Sequence, residues 1–131
     1  MKRSIIILVT FMSIAGLPSC KKEHANKNLS TIEGKWVGSY VNDASGNTFY
    51  YSFNIKPGGI IEELNSSGQL VGSGNWELSN DILSAYYNYL PPSNSSYSVI
   101  GAFDKNSGKL AGDWGYGNNA TNGGTWEMTK Q

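Results

Sequence analysis

The chain is poor in the residues that build most catalytic and metal sites. It contains one cysteine, Cys20, and one histidine, His24, among 131 residues. It can therefore form no disulfide within one molecule and no zinc site made of several cysteines and histidines. Its acidic residues are isolated or adjacent in the sequence, and their spacing does not mark a pair for general acid and base catalysis. We therefore expect a protein that is not an enzyme and that uses no metal or other cofactor.

Clustered positive charge is missing as well. Over the whole chain, 10 basic residues balance 10 acidic ones. Removal of a signal peptide containing Lys2 and Arg3 would leave 8 basic and 10 acidic residues, a net charge of −2. The lysines beyond residue 30 are scattered singly, so they form no basic run that could hold a phosphate backbone. We expect no nucleic acid partner.

The start of the chain resembles the signal of a bacterial lipoprotein. Two basic residues at positions 2 and 3 precede an apolar run over residues 5–17. That run has the length of a signal peptide core and is too short to span a bilayer comfortably. It leads into residues 17–20, Leu-Pro-Ser-Cys, which resemble the lipobox, the site at which lipoprotein signals are cut.

The lipobox resemblance implies that residues 1–19 are removed and that Cys20 carries the lipid of a membrane anchor. Two or three acyl chains, as the lipoprotein pathway supplies, hold a protein firmly at a membrane. Lys21 stands where an aspartate commonly marks inner-membrane retention, so the resemblance favours the outer membrane, in its periplasmic leaflet or at the cell surface. Residues 20–31 are polar and aperiodic, which predicts a flexible tether before a domain over residues 32–131.

The rest of the chain alternates apolar and polar residues in short runs. Clusters of glycine, asparagine, serine and proline separate these runs, which is typical of an antiparallel meander. The eight predicted strands are residues 34–41, 48–56, 60–65, 70–78, 82–90, 97–103, 109–117 and 124–130. Because an open sheet would expose two edges, we expect an eight-stranded antiparallel up-and-down barrel. Such a barrel is filled by side chains or holds one small ligand.

The tripeptide Gly-x-Trp occurs four times, ending at Trp36, Trp76, Trp114 and Trp126. A glycine two residues before a tryptophan shares its strand face and leaves room for a neighbouring indole. The first copy resembles the signature that lipocalins, avidins and fatty-acid-binding proteins share with small barrel inhibitors of bacterial metalloproteases. This resemblance covers residues 32–130 and implies a lipocalin-like barrel. Lipocalins usually set an arginine against the first tryptophan, and residues 32–131 contain no arginine.

Strand parity groups many aromatic side chains on the inner face of the predicted barrel. These rings either fill the interior or line a partly open cavity where tyrosine hydroxyls meet a ligand or water. For the open cavity, we predict a non-catalytic module that binds a small apolar or aromatic ligand. The predicted ligand-binding residues are Trp36, Tyr51, Trp76, Tyr87, Tyr89, Trp114, Tyr116 and Trp126.

The opposite parity places Tyr50, Ile61, Tyr86 and Ile100 on the outer face. Exposed aromatic rings on a flat sheet suit stacking on sugars, and a larger apolar patch would suit a protein partner. The alternative function is therefore a glycan- or protein-binding accessory or structural module that uses the outer face or the loops. It includes a protease inhibitor of the barrel type, which would need an exposed amino-terminal arm.

Overall fold

The computed structural model describes residues 28–131, so the predicted signal peptide, Cys20 and most of the predicted tether lie outside the described residues. The strands are β1 (Gly34–Asn42), β2 (Asn47–Lys56), β3 (Ile60–Leu64), β4 (Leu70–Ser79), β5 (Ile82–Tyr89), β6 (Ser96–Asp104), β7 (Lys109–Tyr116) and β8 (Gly124–Lys130). Each strand pairs antiparallel with the next, and β8 pairs with β1 to close the barrel. The predicted eight-stranded barrel is confirmed. Residues 28–131 include no helix that could cross a membrane.

The interior is built by alternate residues of every strand, because successive side chains point to opposite faces of a sheet. Trp36 pairs with Phe53 across β1 and β2, and Val99 pairs with Trp114 across β6 and β7. The buried apolar core is formed by Ile32, Trp36, Tyr51, Phe53, Ile55, Ile61, Leu83, Ala85, Tyr87, Val99, Phe103, Leu110, Trp114, Trp126 and Met128.

The two ends of the barrel differ. At the closed end, the segment before β1 packs against the barrel from Asn28 onward. Lys130 Nζ donates hydrogen bonds to the carbonyls of Asn28 and Thr31, and buried Ile32 accepts a 2.7 Å hydrogen bond from the Trp36 indole. The described part of the predicted tether therefore contacts the barrel. The open end carries the connections at residues 43–46, 65–69, 90–95 and 117–123.

The four tryptophans share one structural role. Each indole N–H donates to a backbone carbonyl at 2.7–2.9 Å, on Ile32, Lys56, Val41 and Asp113 for Trp36, Trp76, Trp114 and Trp126. The glycines beside the indoles are mostly not those of the Gly-x-Trp motif. A Cβ on Gly101 would lie 2.6 Å from the Trp126 ring, and three of the four motif glycines meet other neighbours instead. Among the motif glycines, Gly124 has an indole atom among its three nearest neighbours, Trp114 Nε1 at 3.1 Å, and Gly112 pairs with Trp126 across β7 and β8.

The inner and outer faces follow the predicted parity except in β3. Ile61 was expected outside, but it is 0% exposed because it pairs with Ile55 of β2, and paired residues share a face. The tight turn at residues 57–59 sets this register, with Gly58 and Gly59 at φ values of 82° and 78°. The same register turns Glu63 into the barrel. Tyr50, Tyr86 and Ile100 are 38–41% exposed, as expected.

Candidate functional site

The open end of the barrel holds a cavity of about 120 Å³, which we call the tyrosine cup. Its lining comes from β1, β2, β5, β6 and β7, and six of its eight residues are tyrosines. The lining residues are Tyr40, Asn42, Tyr51, Tyr87, Tyr89, Tyr97, Trp114 and Tyr116. The barrel is therefore filled toward its closed end and partly open at the other.

Six rings form an unbroken circuit around the cup, which we call the aromatic collar. Neighbouring ring centroids are 5.2 Å apart for Tyr40 and Trp114, 6.2 Å for Trp114 and Tyr97, 4.8 Å for Tyr97 and Tyr89, 6.4 Å for Tyr89 and Tyr87, and 5.0 Å for Tyr51 and Tyr40. A 2.5 Å hydrogen bond between the hydroxyls of Tyr51 and Tyr87 closes the circuit. Ring pairs at these separations stabilise one another by about 0.5–1.5 kcal/mol each, so the collar is held in place before any ligand arrives.

A glycine of β4 makes room for the collar. A Cβ on Gly72 would lie 3.1 Å from Tyr89 Cδ1 and 3.2 Å from Tyr87 Cδ2. The rings of these two β5 tyrosines therefore lie against the bare backbone of β4, which contributes no side chain to the lining. Gly72 also pairs with Glu63 of β3, so the same position leaves space beside that carboxyl.

A buried carboxyl lies behind the tyrosines of the cup. Glu63 is only 6% exposed, and its Oε1 accepts a 2.8 Å hydrogen bond from the Tyr89 hydroxyl. Its Oε2 is buried without a hydrogen-bond partner among the described residues. An unsatisfied buried polar atom costs about 1–3 kcal/mol, so the fold keeps Glu63 here at a cost in stability.

Burial changes the protonation of this cluster. It raises the pKa of Glu63 from its ordinary value of 4.5 to about 7, although the nearby hydroxyls of Tyr89 and Tyr87 favour the charged form and partly oppose the rise. Burial also raises the pKa of Tyr51, Tyr87 and Tyr89 above their ordinary value of 10.0. Near neutral pH these tyrosines therefore remain protonated, while Glu63 changes charge.

The structure divides the predicted ligand-binding residues into two groups. Five of them line the cup: Tyr51, Tyr87, Tyr89, Trp114 and Tyr116. Trp36 is fully buried at the closed end, and Trp126 is buried below the cup with its ring 6.2 Å from that of Tyr51. Half-buried Trp76 packs against the core and borders a separate groove on the outer surface. These three tryptophans do not line the cup.

Sequence reasoning missed four members of the site as ligand-binding residues. Tyr40 and Tyr97 carried a signal, because they share strand parity with Trp36 and Val99. Asn42, at the end of β1, carried none. Glu63 was grouped with the isolated or adjacent acidic residues, whose spacing predicted no site, although it is buried behind the cup. The pairing of Ile61 with Ile55 was the signal that would have placed Glu63 inside.

Comparisons of the chain with protein-family models, with curated proteins and with solved structures yield no match. In the described part of the chain, no group of three or more histidine, cysteine, aspartate and glutamate side chains is placed to hold a metal ion. The chemistry of the site therefore rests on its own residues. They offer ring faces, hydroxyl groups and one carboxyl.

Proposed function

We propose that the tyrosine cup binds a small ligand, or one ring-sized group of a larger ligand. The observation that carries this proposal is the aromatic collar around a cavity with a buried carboxyl behind its lining. The cavity has a volume of about 120 Å³. It is close to an engineered cavity of about 150 Å³ that binds benzene and smaller than the roughly 300–1,000 Å³ of drug-sized sites.

We propose that this binding is not coupled to catalysis. The cup lining contains no carboxylate, histidine or cysteine, and Glu63 behind it contacts tyrosine hydroxyls that burial keeps protonated. A glycosidase of the usual kind would need two carboxyl groups flanking its substrate. The composition of the site therefore supports a binding module.

The proposal is tested by comparing two tyrosines that differ in position. Tyr97 belongs to the aromatic collar, whereas Tyr86 lies one strand away and is 41% exposed on the outer face. We would titrate phenol, indole and benzyltrimethylammonium into each variant by calorimetry. Tyr97→Ala should lower affinity at least tenfold for the compounds that bind the wild type, and Tyr86→Ala should leave it unchanged. The reverse pattern, or no binding of any compound, would contradict the proposal.

We also propose that the protein is a lipoprotein anchored by lipid on Cys20, in the outer membrane. Two features support this: the lipobox at residues 17–20 and the entry of the chain at the closed end, where Lys130 holds Asn28. Eight residue steps separate Cys20 from Asn28, a reach of at most about 28 Å. The closed end would then lie near the membrane, with the tyrosine cup facing away from it.

The anchor is tested by metabolic labelling with a fatty acid. Label should enter the wild-type protein, which should fractionate with the outer membrane, and Cys20→Ser should remain unlabelled. Label on both proteins would overturn the anchor. It would leave the cup proposal intact, because the cup is built without Cys20.

A second candidate function uses the outer surface. A groove of about 470 Å³ there is lined in part by Trp76, Tyr86 and Ile100, so a glycan or a protein could bind it. It is an open surface, whereas the cup is more enclosed, and we favour the cup for that reason. For a protease inhibitor, the inserted arm would have to precede Asn28, because the following residues pack on the closed end. A silent glycan array would argue against sugar binding.

A further inference from the structure

The aromatic collar presents one kind of electrostatic surface to a ligand. The face of an aromatic ring carries negative charge density and attracts cations, with tryptophan, tyrosine and phenylalanine all able to contribute. The eight residues that line the cup include no lysine or arginine. The nearest lysine along the chain from Glu63 is Lys56, and it pairs with Glu62 at 2.8 Å on the outer surface. No positively charged side chain lining the cup therefore contacts the faces of its rings.

The hydrogen bonds of the cluster add to this negative character. A carboxylate only accepts hydrogen bonds, so the Tyr89 hydroxyl must donate its hydrogen to an ionised Glu63 at 2.8 Å. The oxygen of Tyr89 is then left with lone pairs that can accept from a ligand. In the 2.5 Å contact between Tyr51 and Tyr87, one hydroxyl donates to the other, and the accepting hydroxyl keeps a hydrogen of its own. Beside an ionised Glu63, the Tyr89 oxygen is therefore an acceptor for a ligand that carries N–H groups.

Glu63 supplies a charge that has no partner of opposite sign in the described part of the chain. Its buried Oε2 makes no well-formed hydrogen bond there, although the Tyr87 hydroxyl is close enough to favour its charged form. Buried charges in proteins are normally paired. A positively charged ligand in the cup would provide the missing counter-charge, across or between the hydroxyls of Tyr87 and Tyr89.

We propose that the ligand of the tyrosine cup is a small organic cation, an ammonium group carried on a compact or aromatic skeleton. Its charge would lie within the aromatic collar and would be balanced by Glu63. This inference rests on the proposed function and names the class of ligand for the same site. A neutral apolar ligand of equal shape would fill the cup and leave the carboxyl unpaired.

The groups that face Glu63 decide how binding depends on pH. Phe53 of β2 and Gly72 of β4 lie opposite it in the sheet, and neither can ionise. The tyrosines of β1, β2 and β5 that act on its charge, Tyr40, Tyr51, Tyr87 and Tyr89, have pKa values raised by burial and stay neutral below about pH 10. Affinity for a permanent cation should therefore rise between pH 5.5 and 8, as Glu63 ionises.

The experiment uses a pair of compounds with one shape and different charge. Choline carries a trimethylammonium group, and 3,3-dimethylbutan-1-ol has carbon in place of the charged nitrogen. Both would be titrated into the full chain by calorimetry, with intrinsic tryptophan fluorescence as a second signal. Choline should bind about tenfold more tightly than the alcohol, as expected for a desolvated contact between a cation and aromatic rings.

The variants test the carboxyl. Glu63→Gln should lower choline affinity about tenfold and leave the alcohol unaffected, and the neighbouring Glu62→Gln is the matched control that should change neither. If Glu63→Gln does not fold, the wild-type protein provides the same test, because choline affinity should rise about tenfold from pH 5.5 to 8 while affinity for the alcohol stays constant.

The outcomes separate this inference from the proposed function. If choline and the alcohol bind equally, the inference of a cationic ligand is wrong, but the cup can still be a ligand site. The same holds if choline affinity is unchanged both by Glu63→Gln and by pH. Binding of phenol or indole without choline would lead to the same conclusion. If none of these compounds binds, both proposals fail.

Discussion

The protonation of Glu63 leads to a prediction about stability that needs no ligand. Glu63→Gln keeps the size of the side chain and keeps an oxygen that can accept from Tyr89, but it removes the ionisable group. The variant therefore tests the buried charge while it preserves the 2.8 Å hydrogen bond. Glu62→Gln, one residue away, removes an acid that pairs with Lys56 on the outer surface and is the matched control.

The direction in which stability changes with pH follows from the raised pKa of Glu63. Because the folded protein holds the Glu63 proton more tightly than the unfolded chain, its contribution to stability is complete below pH 4.5 and is lost as pH rises through about 7. The shift from 4.5 to about 7, at about 1.36 kcal/mol for each pKa unit, corresponds to about 3 kcal/mol. The pKa of Glu62 is lowered, chiefly by its hydrogen bond to Lys56. The contribution of Glu62 to stability therefore changes with pH in the opposite direction, and it does so at lower pH.

The assay is urea unfolding followed by tryptophan fluorescence at several pH values between 4.5 and 8.5. The wild-type protein should lose about 3 kcal/mol of unfolding free energy relative to Glu63→Gln across this range, and Glu62→Gln should follow the wild type. The other titrating groups are common to the wild type and Glu63→Gln, so their contributions cancel in the comparison. Parallel curves for the wild type and Glu63→Gln would refute the argument, because Glu63 would then titrate as an exposed acid.

Three further substitutions test other parts of the barrel. Tyr87→Phe removes the 2.5 Å hydrogen bond with Tyr51 and should lower the unfolding free energy by about 1 kcal/mol; an unchanged urea midpoint would contradict this. Gly72→Ala forces a methyl group against two collar rings, which should cost about 1–3 kcal/mol in urea unfolding and weaken binding in the cup. Lys130→Met removes the donor that holds the segment before β1, so limited proteolysis should cut there faster than in the exposed control Lys109→Met.

The barrel could be predicted because its signals are local. Alternation with a period of two residues marks each strand, and clusters of turn residues mark each connection. β3 was harder, because its sequence Ile-Ile-Glu-Glu from Ile60 to Glu63 does not alternate. Its face is set by the turn at residues 57–59 and by the pairing of Ile61 with Ile55, which are properties of two strands together.

The site was predictable only in part for a similar reason. Strand parity shows which side chains point inward, but it does not show how high along the barrel each one lies. Trp36 and Tyr51 share the inner face, yet one lies at the closed end and the other lines the cup. Height depends on the stagger between strands, and that stagger emerges only when all eight close the barrel. The burial of Glu63 was harder still to predict, because a carboxyl is rarely buried without a partner.

The central claim is that a ligand enters the tyrosine cup, and the four indole N–H signals of the tryptophans test it directly. Each indole is bonded to a different carbonyl, and only Trp114 among them lines the cup. In a ¹H–¹⁵N NMR titration with choline, the Trp114 signal should move most and saturate, while those of Trp36 and Trp76 stay in place. A saturating shift of the Trp76 signal with the Trp114 signal unmoved would place the ligand outside the cup and contradict the account.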